Sequence, residues 1–131
     1  MIGLDTNVFL RLFVEDNPDQ TARARRFAAD AAKEDVCFVN AVVLAEFAWT
    51  LGRRMKRKKP EIAQLIEQAL LADDLEIAHR ECAARAVAAY RIGEADFADY
   101  YLAEINQESG CATTATFDRD ALDSPAFSHV P

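Results

Sequence analysis

Apolar and polar positions repeat along this chain in two different periods, and the changes of period mark the elements. Met1 to Leu4 is a short apolar run that stops at Asp5, the pattern of a buried strand with a carboxylate at its C-terminal tip. Directly after it, Val8, Phe9, Leu12 and Phe13 recur at helical spacing and predict a helix from Thr6 to Val14. Asn17-Pro18 predicts the next helix start, with Asn17 as N-cap and Pro18 in the first turn, and an Ala- and Arg-rich stretch carries it to about Ala32. Val36 to Val39 is a second β-type run. Asn40 then reads as the cap of an almost wholly apolar helix, Ala41 to Leu51, closed by Gly52.

The second half repeats the scheme. Pro60 opens an amphipathic helix carrying Ile62, Leu65, Ile66, Ala69 and Leu70, and Leu75 to Ala78 predicts a third strand. Arg80 to Ile92 is a helix stopped by Gly93, and Asp96 starts another that runs to about Ser109 and stops at Gly110. Cys111 to Ala115 predicts a fourth strand, followed by Thr116-Phe117-Asp118, while the tail from Pro125 either adds a last short strand or trails. Alternation of this kind predicts an α/β fold: a parallel β-sheet flanked by helices on both faces, a three-layer α/β/α sandwich. Neither an internal repeat nor a low-complexity linker interrupts it.

Composition adds bounds. At 131 residues and 51% hydrophobic, residues 1–131 make one domain that can bury a sizeable core without disulfides or a structural metal. No apolar run approaches the ~18 residues that span a bilayer, and the N-terminus lacks a leader pattern, so a cytoplasmic protein with no membrane partner is expected. Cys37, Cys82 and Cys111 are odd in number and far apart, which predicts three reduced, mostly buried thiols. His79 reads as a residue near a helix start and His129 as part of a frayed C-terminus, neither with ligand types at metal spacing.

The net charge is −7, unlike a generic nucleic-acid binder, but its distribution is uneven. Arg53, Arg54, Lys56, Arg57, Lys58 and Lys59 crowd into seven residues. The rest of the chain holds 9 basic residues against 22 acidic ones, so an acidic body carries one basic knuckle.

Several acids fall where strands end or helices begin. Asp5 ends the first strand, Asp96 and Asp99 stand at the N-cap and N3 positions of a helix, and Asp118 follows the fourth strand. Glu46 lies in Val42-Val43-Leu44-Ala45-Glu46-Phe47-Ala48-Trp49, and an ionised carboxylate in apolar surroundings is costly without a partner. No Lys or Arg lies within a turn of it on its own helix, so a cation bound from outside is expected to face it. Carboxylates brought within ~5 Å of one another would repel, and a hard divalent cation removes that penalty. All-oxygen ligation suits Mg²⁺ or Mn²⁺, and such a site activates water for phosphodiester hydrolysis.

Leu4-Asp5-Thr6-Asn7, Leu44-Ala45-Glu46-Phe47, the Asp96 to Ala103 stretch and Thr116-Phe117-Asp118 resemble the four motifs of the PIN domain. Order, spacing and length resemble in particular the VapC-type toxins of toxin–antitoxin pairs, over the whole chain. The resemblance implies Asp5, Glu46 and Asp99 as core catalytic and metal-binding acids and Asp118 as the more variable fourth. Asp99 fits the motif's register better than Asp96. Thr6, Asn7 and Thr116 resemble the supporting residues that orient the acids by hydrogen bonds, whereas Tyr100 and Tyr101 are bulkier than is usual after that acid. The family further implies an Mg²⁺- or Mn²⁺-dependent endoribonuclease, a homodimer restrained by a small cognate antitoxin. The basic knuckle, Arg53, Arg54, Lys56, Arg57, Lys58 and Lys59, then reads either as an RNA phosphate anchor or as a solvated loop. Arg11, Arg23, Arg25 and Arg26 are further cations of this kind.

Other classes fit less well. A haloacid-dehalogenase-like phosphatase needs a second aspartate two residues after the nucleophile, and Asn7 occupies that place. A receiver domain wants its acceptor aspartate on a later strand. The non-enzyme alternative is a catalytically inactive PIN-like module that binds RNA or protein, whose usual sign is loss of core acids; here all four are present.

Overall fold

In the computed structural model, which describes residues 1–131, the expected alternation is present. Strand β1 (Ile2–Gly3) leads into α1 (Thr6–Phe13) and α2 (Pro18–Ala31), and β2 (Cys37–Val39) into α3 (Ala41–Arg53) and α4 (Lys59–Leu71). Strand β3 (Leu75–Ile77) leads into α5 (Arg80–Ile92) and α6 (Phe97–Glu108), and β4 (Thr114–Thr116) passes through a 3₁₀ turn (Arg119–Asp123) to β5 (Phe127–His129). Every strand pair is parallel: Ile2 is opposite Cys37, Cys37 opposite Leu75, and Thr114 opposite Phe127. Parallel neighbours need crossover connections, and helix pairs supply the two crossovers within β1-β2-β3. The result is an α/β fold of the three-layer kind.

The strands form two ladders, β1-β2-β3 and β4-β5, with no backbone hydrogen bond between β1 and β4. Thirty buried residues from both halves nevertheless form one apolar core. Phe9 of α1 and Phe47 of α3 are fully buried with ring centroids 4.6 Å apart, and Phe13 lies edge-on to both. Burying a ring of that size stabilises the fold by ~3 kcal/mol, so this trio fixes α1 against α3. No helix is long and apolar enough to cross a membrane.

The predicted caps are in place. Asn17 Oδ1 accepts the Gln20 N–H at 3.1 Å and Asn40 Oδ1 the Val43 N–H at 2.9 Å, each contributing ~1 kcal/mol. Four expectations shift. Helix α3 does not close at Gly52 but continues to Arg53, because its exit is made downstream: Lys56 takes the left-handed conformation (φ +56) and the Arg57 N–H reaches Leu51 O at 2.9 Å. Strand β4 starts at Thr114, not Cys111, because the Cys111 N–H bonds Asn106 O at 2.9 Å and Gly110 turns the chain with φ +100. Cys111 is consequently exposed, while Cys37 and Cys82 are buried as expected, and all three are unpaired. The tail does not fray at His129, which lies opposite Thr116 in β5.

Candidate active site

Three of the four expected acids sit where a strand or loop hands over to a helix. Leu4 makes the last β1–β2 bond, N–H to Phe38 O at 2.9 Å, and the next residue, Asp5, turns out to cap α1 through Oδ1 and the Val8 N–H at 2.9 Å. Asp99, at the third position of α6, accepts the Asp96 N–H on Oδ2 at 3.2 Å. Asp118 caps the 3₁₀ turn through Oδ1 and the Asp120 N–H at 2.9 Å. Each carboxylate thus spends one oxygen on unpaired helix N–H groups, where the positive end of the backbone dipole favours negative charge. Its other oxygen has no protein partner.

Glu46 departs from expectation. It is exposed, not enclosed by apolar side chains, because α3 buries Val43, Leu44, Phe47, Ala48 and Leu51 and turns Val42, Glu46 and Trp49 outward. Val42 and Trp49 are 64% and 55% exposed, so the outer face is itself partly apolar and the sequence reads as apolar all round. Desolvation therefore gives no reason for a cation at Glu46. Its place is set by its neighbour Phe47, which packs on Phe9, one helical turn on from Asp5.

The electrostatic strain lies at Asp99. Burial pushes its carboxyl above the ordinary range, the Asp96 N–H pulls it back, and the negative charges of Asp96 and Asp118 push it further up. No ion pair in the molecule involves Asp5, Glu46, Asp99 or Asp118. Oxygen-only donors, free of Lys and Arg, with Asp99 disfavoured as an anion, fit a hard divalent cation. The structure does not bring them into a compact ligand set: no three of these acids place ligand atoms within 4.8 Å of one another, and of them only Asp118 is felt electrostatically at Asp99.

The supporting residues divide. Thr116 Oγ1 accepts the Asp118 N–H at 2.9 Å and so orients that acid. Thr6 makes no side-chain hydrogen bond to an acid, and the Asn7 amide donates to Gln20 Oε1 at 3.4 Å, so neither braces Asp5 as expected. Asp96 stands at the N-cap of α6 and faces Arg53 at 3.8 Å. Tyr100 and Tyr101 are accommodated beneath α6, away from Asp99. The Tyr100 hydroxyl donates to Asp123 at 2.9 Å and accepts the Ala95 N–H at 3.2 Å, while Tyr101 donates to Ala78 O at 2.6 Å. Tyr100 thereby ties the helix of Asp99 to the turn of Asp118.

The PIN-domain family model matches residues 2–127. The chain belongs to the PIN-domain family. PIN domains are generally metal-dependent nucleases, hence hydrolases, that use divalent ions. A comparison with curated protein sequences finds no match.

The basic knuckle is less free than its sequence suggests. Arg57 pairs with Glu61 at 2.9 Å, Arg53 with Asp96, and Lys59 bonds Gly93 O and lies 5.0 Å over the Tyr90 ring. Arg54, Lys56 and Lys58 have no acidic partner and are exposed. A groove of ≈ 560 Å³ between α1 and α2 is lined by Asn7, Arg11, Arg23, Arg26, Phe27 and Asp30 among others; Arg11 pairs with Asp16 and Arg23 with Asp19 at 3.7 Å, and Arg26 has no acidic partner. The sequence pattern also hides a cluster. His79, read as lacking ligand neighbours, meets Cys82 and Glu108 with all ligand atoms within 4.8 Å. The His79-x-x-Cys82 spacing is visible in the chain; the third member, 26 residues beyond Cys82, is not.

Proposed function

We propose that this PIN domain is an Mg²⁺- or Mn²⁺-dependent endoribonuclease and the toxin of a toxin–antitoxin pair. The observation that carries the nuclease reading is the set Asp5, Asp99 and Asp118, each anchored by one oxygen at a helix start and each leaving the other free, with no basic side chain to neutralise them. With exposed Glu46 as fourth acid, these residues would hold the cation. When bound, it supplies charge neutralisation, an activated water and stabilisation of the leaving oxygen in phosphodiester hydrolysis. Asp99, disfavoured as an anion, gains most from that neutralisation. Thr116 holds Asp118 in register, and the Tyr100–Asp123 tie holds the two acids' elements together.

A cleft this acidic repels RNA, so phosphate contacts fall to cations around it. The α1–α2 groove offers Arg26 beside Asn7, with Arg23 only loosely paired to Asp19 at 3.7 Å, and Phe27, 45% exposed, as a surface on which a base can stack. Arg54, Lys56 and Lys58 extend the positive surface. RNA read mainly through phosphates and stacking is single-stranded RNA. The toxin role, with a small antitoxin and a homodimeric assembly, rests on the resemblance of the order and spacing of the four motifs to those of VapC-type toxins.

The test is cleavage of single-stranded RNA by the purified protein with and without added Mg²⁺ or Mn²⁺. Cleavage is expected with metal, absent in EDTA, and lost in Asp5→Asn and Asp99→Asn. Activity that survives EDTA overturns the metal reading, and stoichiometric RNA binding without cleavage in any metal points instead to a binding module. Mapping RNA 5′ ends after induction in a host lacking the antitoxin identifies the target.

A further inference from the structure

His79, Cys82 and Glu108 stand at the opposite end of α6 from Asp99. Nine residues of helix, ~13 Å at 1.5 Å per residue, separate Asp99 from Glu108. The Glu108 carboxylate receives two side chains at once: His79 Nδ1 at 2.7 Å on Oε1 and the Cys82 thiol at 3.2 Å on Oε2. His79 precedes α5 with φ +51, a left-handed conformation uncommon for residues other than glycine. Its backbone is held there from below, because the buried Tyr101 hydroxyl donates to the carbonyl of Ala78, the preceding residue.

We propose that His79 Nδ1, Cys82 Sγ and Glu108 form a Zn²⁺-class transition-metal site, separate from the acid cleft, with a fourth position open to water. Mixed N, S and O donors select a borderline metal over Mg²⁺. Bonds of about 2.0–2.3 Å place tetrahedral ligand atoms about 3.3–3.6 Å apart, so the present cluster needs only a small expansion to admit the ion. Binding exchanges two hydrogen-bond protons for the cation, and one thiolate with one carboxylate cancels its charge. Without an ion, burial and the Glu108 carboxylate push the Cys82 thiol up to about 11, a cost the cation must offset, and the two helix ends help it do so. Cys82 lies in the first turn of α5, where the dipole supports a thiolate, and Glu108 in the last turn of α6, where it supports a cation. Outside the ligands, the Arg85 guanidinium donates to Sγ at 3.6 Å and is itself balanced by Glu104 at 2.8 Å. His79 and Glu108 are 37% and 50% exposed as side chains, which leaves the entry path and the fourth position to solvent.

The probe is Co²⁺, titrated into the full-length protein in the presence of excess Mg²⁺ to occupy oxygen-only sites. One equivalent is expected to bind with a thiolate-to-cobalt charge-transfer band in the near ultraviolet, and Zn²⁺ is expected to displace it. Cys82→Ser removes the band. His79→Ala, at an exposed position, and Glu108→Gln keep the fold by circular dichroism and weaken binding by more than the about 10–100-fold that loss of an outer-shell partner costs. Two results overturn the proposal. One is a folded wild-type protein without the band, which makes the cluster a hydrogen-bonded strut between α5 and α6. The other is unchanged affinity in His79→Ala.

Discussion

Removing one oxygen atom tests how the two halves of the cleft are joined. The Tyr100 side chain is buried, and its hydroxyl donates to Asp123 at 2.9 Å while accepting the Ala95 N–H at 3.2 Å. Tyr100→Phe keeps the ring and removes both bonds. A hydrogen bond to a charged carboxylate contributes about 1.5–3 kcal/mol, but Asp123 is exposed and recovers water, so about 1 kcal/mol is lost there. Ala95 is only 5% exposed, so its orphaned N–H costs about another 1 kcal/mol. The sum, about 2 kcal/mol, lowers Tm by about 6–10 °C for a domain of this length. Thermal unfolding followed by far-ultraviolet circular dichroism measures it. Asp123→Ala, which also frees the Glu94 N–H held at 2.9 Å, falls at least as far. The double variant loses less than the two singles together, by about 1 kcal/mol. A Tyr100→Phe protein melting within about 2 °C of wild type refutes the tie. Gly93 explains why the tie is tight: a Cβ there would stand 2.7 Å from Tyr100 Cζ and 2.8 Å from Asp123 Oδ2.

The charges lead to two further outcomes. Burial and negative neighbours raise the Asp99 carboxyl, so its ionised form destabilises the fold. That cost is absent below the unfolded value of about 3.9 and complete above the raised folded value. Asp99→Asn, which keeps an acceptor for the Asp96 N–H, is therefore more stable than wild type at pH 7 without divalent metal, and the gap closes as pH falls toward about 4. Urea midpoints across pH check this, and a gap that widens on acidification refutes it. At the knuckle, Arg54→Ala, Lys56→Ala and Lys58→Ala together reduce the slope of log RNA affinity against log salt by about 2 when all three contact phosphate, at about 0.7 per single-strand contact. An unchanged slope leaves the knuckle a solvated loop.

The fold is legible in the sequence wherever local chemistry determines it. Asn17, Asn40 and Gly93 each punctuate a helix as expected, since a cap or stop acts within a few residues. Pairing between strands is long-range, and nothing in the local pattern says that β1 and β4 stay unbonded. Glu46 misleads for a different reason. Val42 and Trp49 put apolar side chains on the solvent face of α3 and erase the period that separates inside from outside. The acids Asp5, Asp99 and Asp118 are readable because each stands at an element boundary, whereas the His79, Cys82 and Glu108 cluster joins two helix ends far apart in sequence.

The divided sheet bears on the mechanics of the cleft. Asp5 rides on the three-stranded ladder and Asp118 on the two-stranded one, and between them runs no rung of backbone hydrogen bonds. Their separation is therefore set by side-chain packing in the shared apolar core rather than by a lattice of peptide groups, while the Tyr100–Asp123 tie acts between the helix of Asp99 and the turn of Asp118. A continuous sheet would fix the spacing of its tip carboxylates and store their repulsion as strain. Here no backbone rung spans the two ladders, so the two carboxylates can shift relative to one another without breaking a strand pairing.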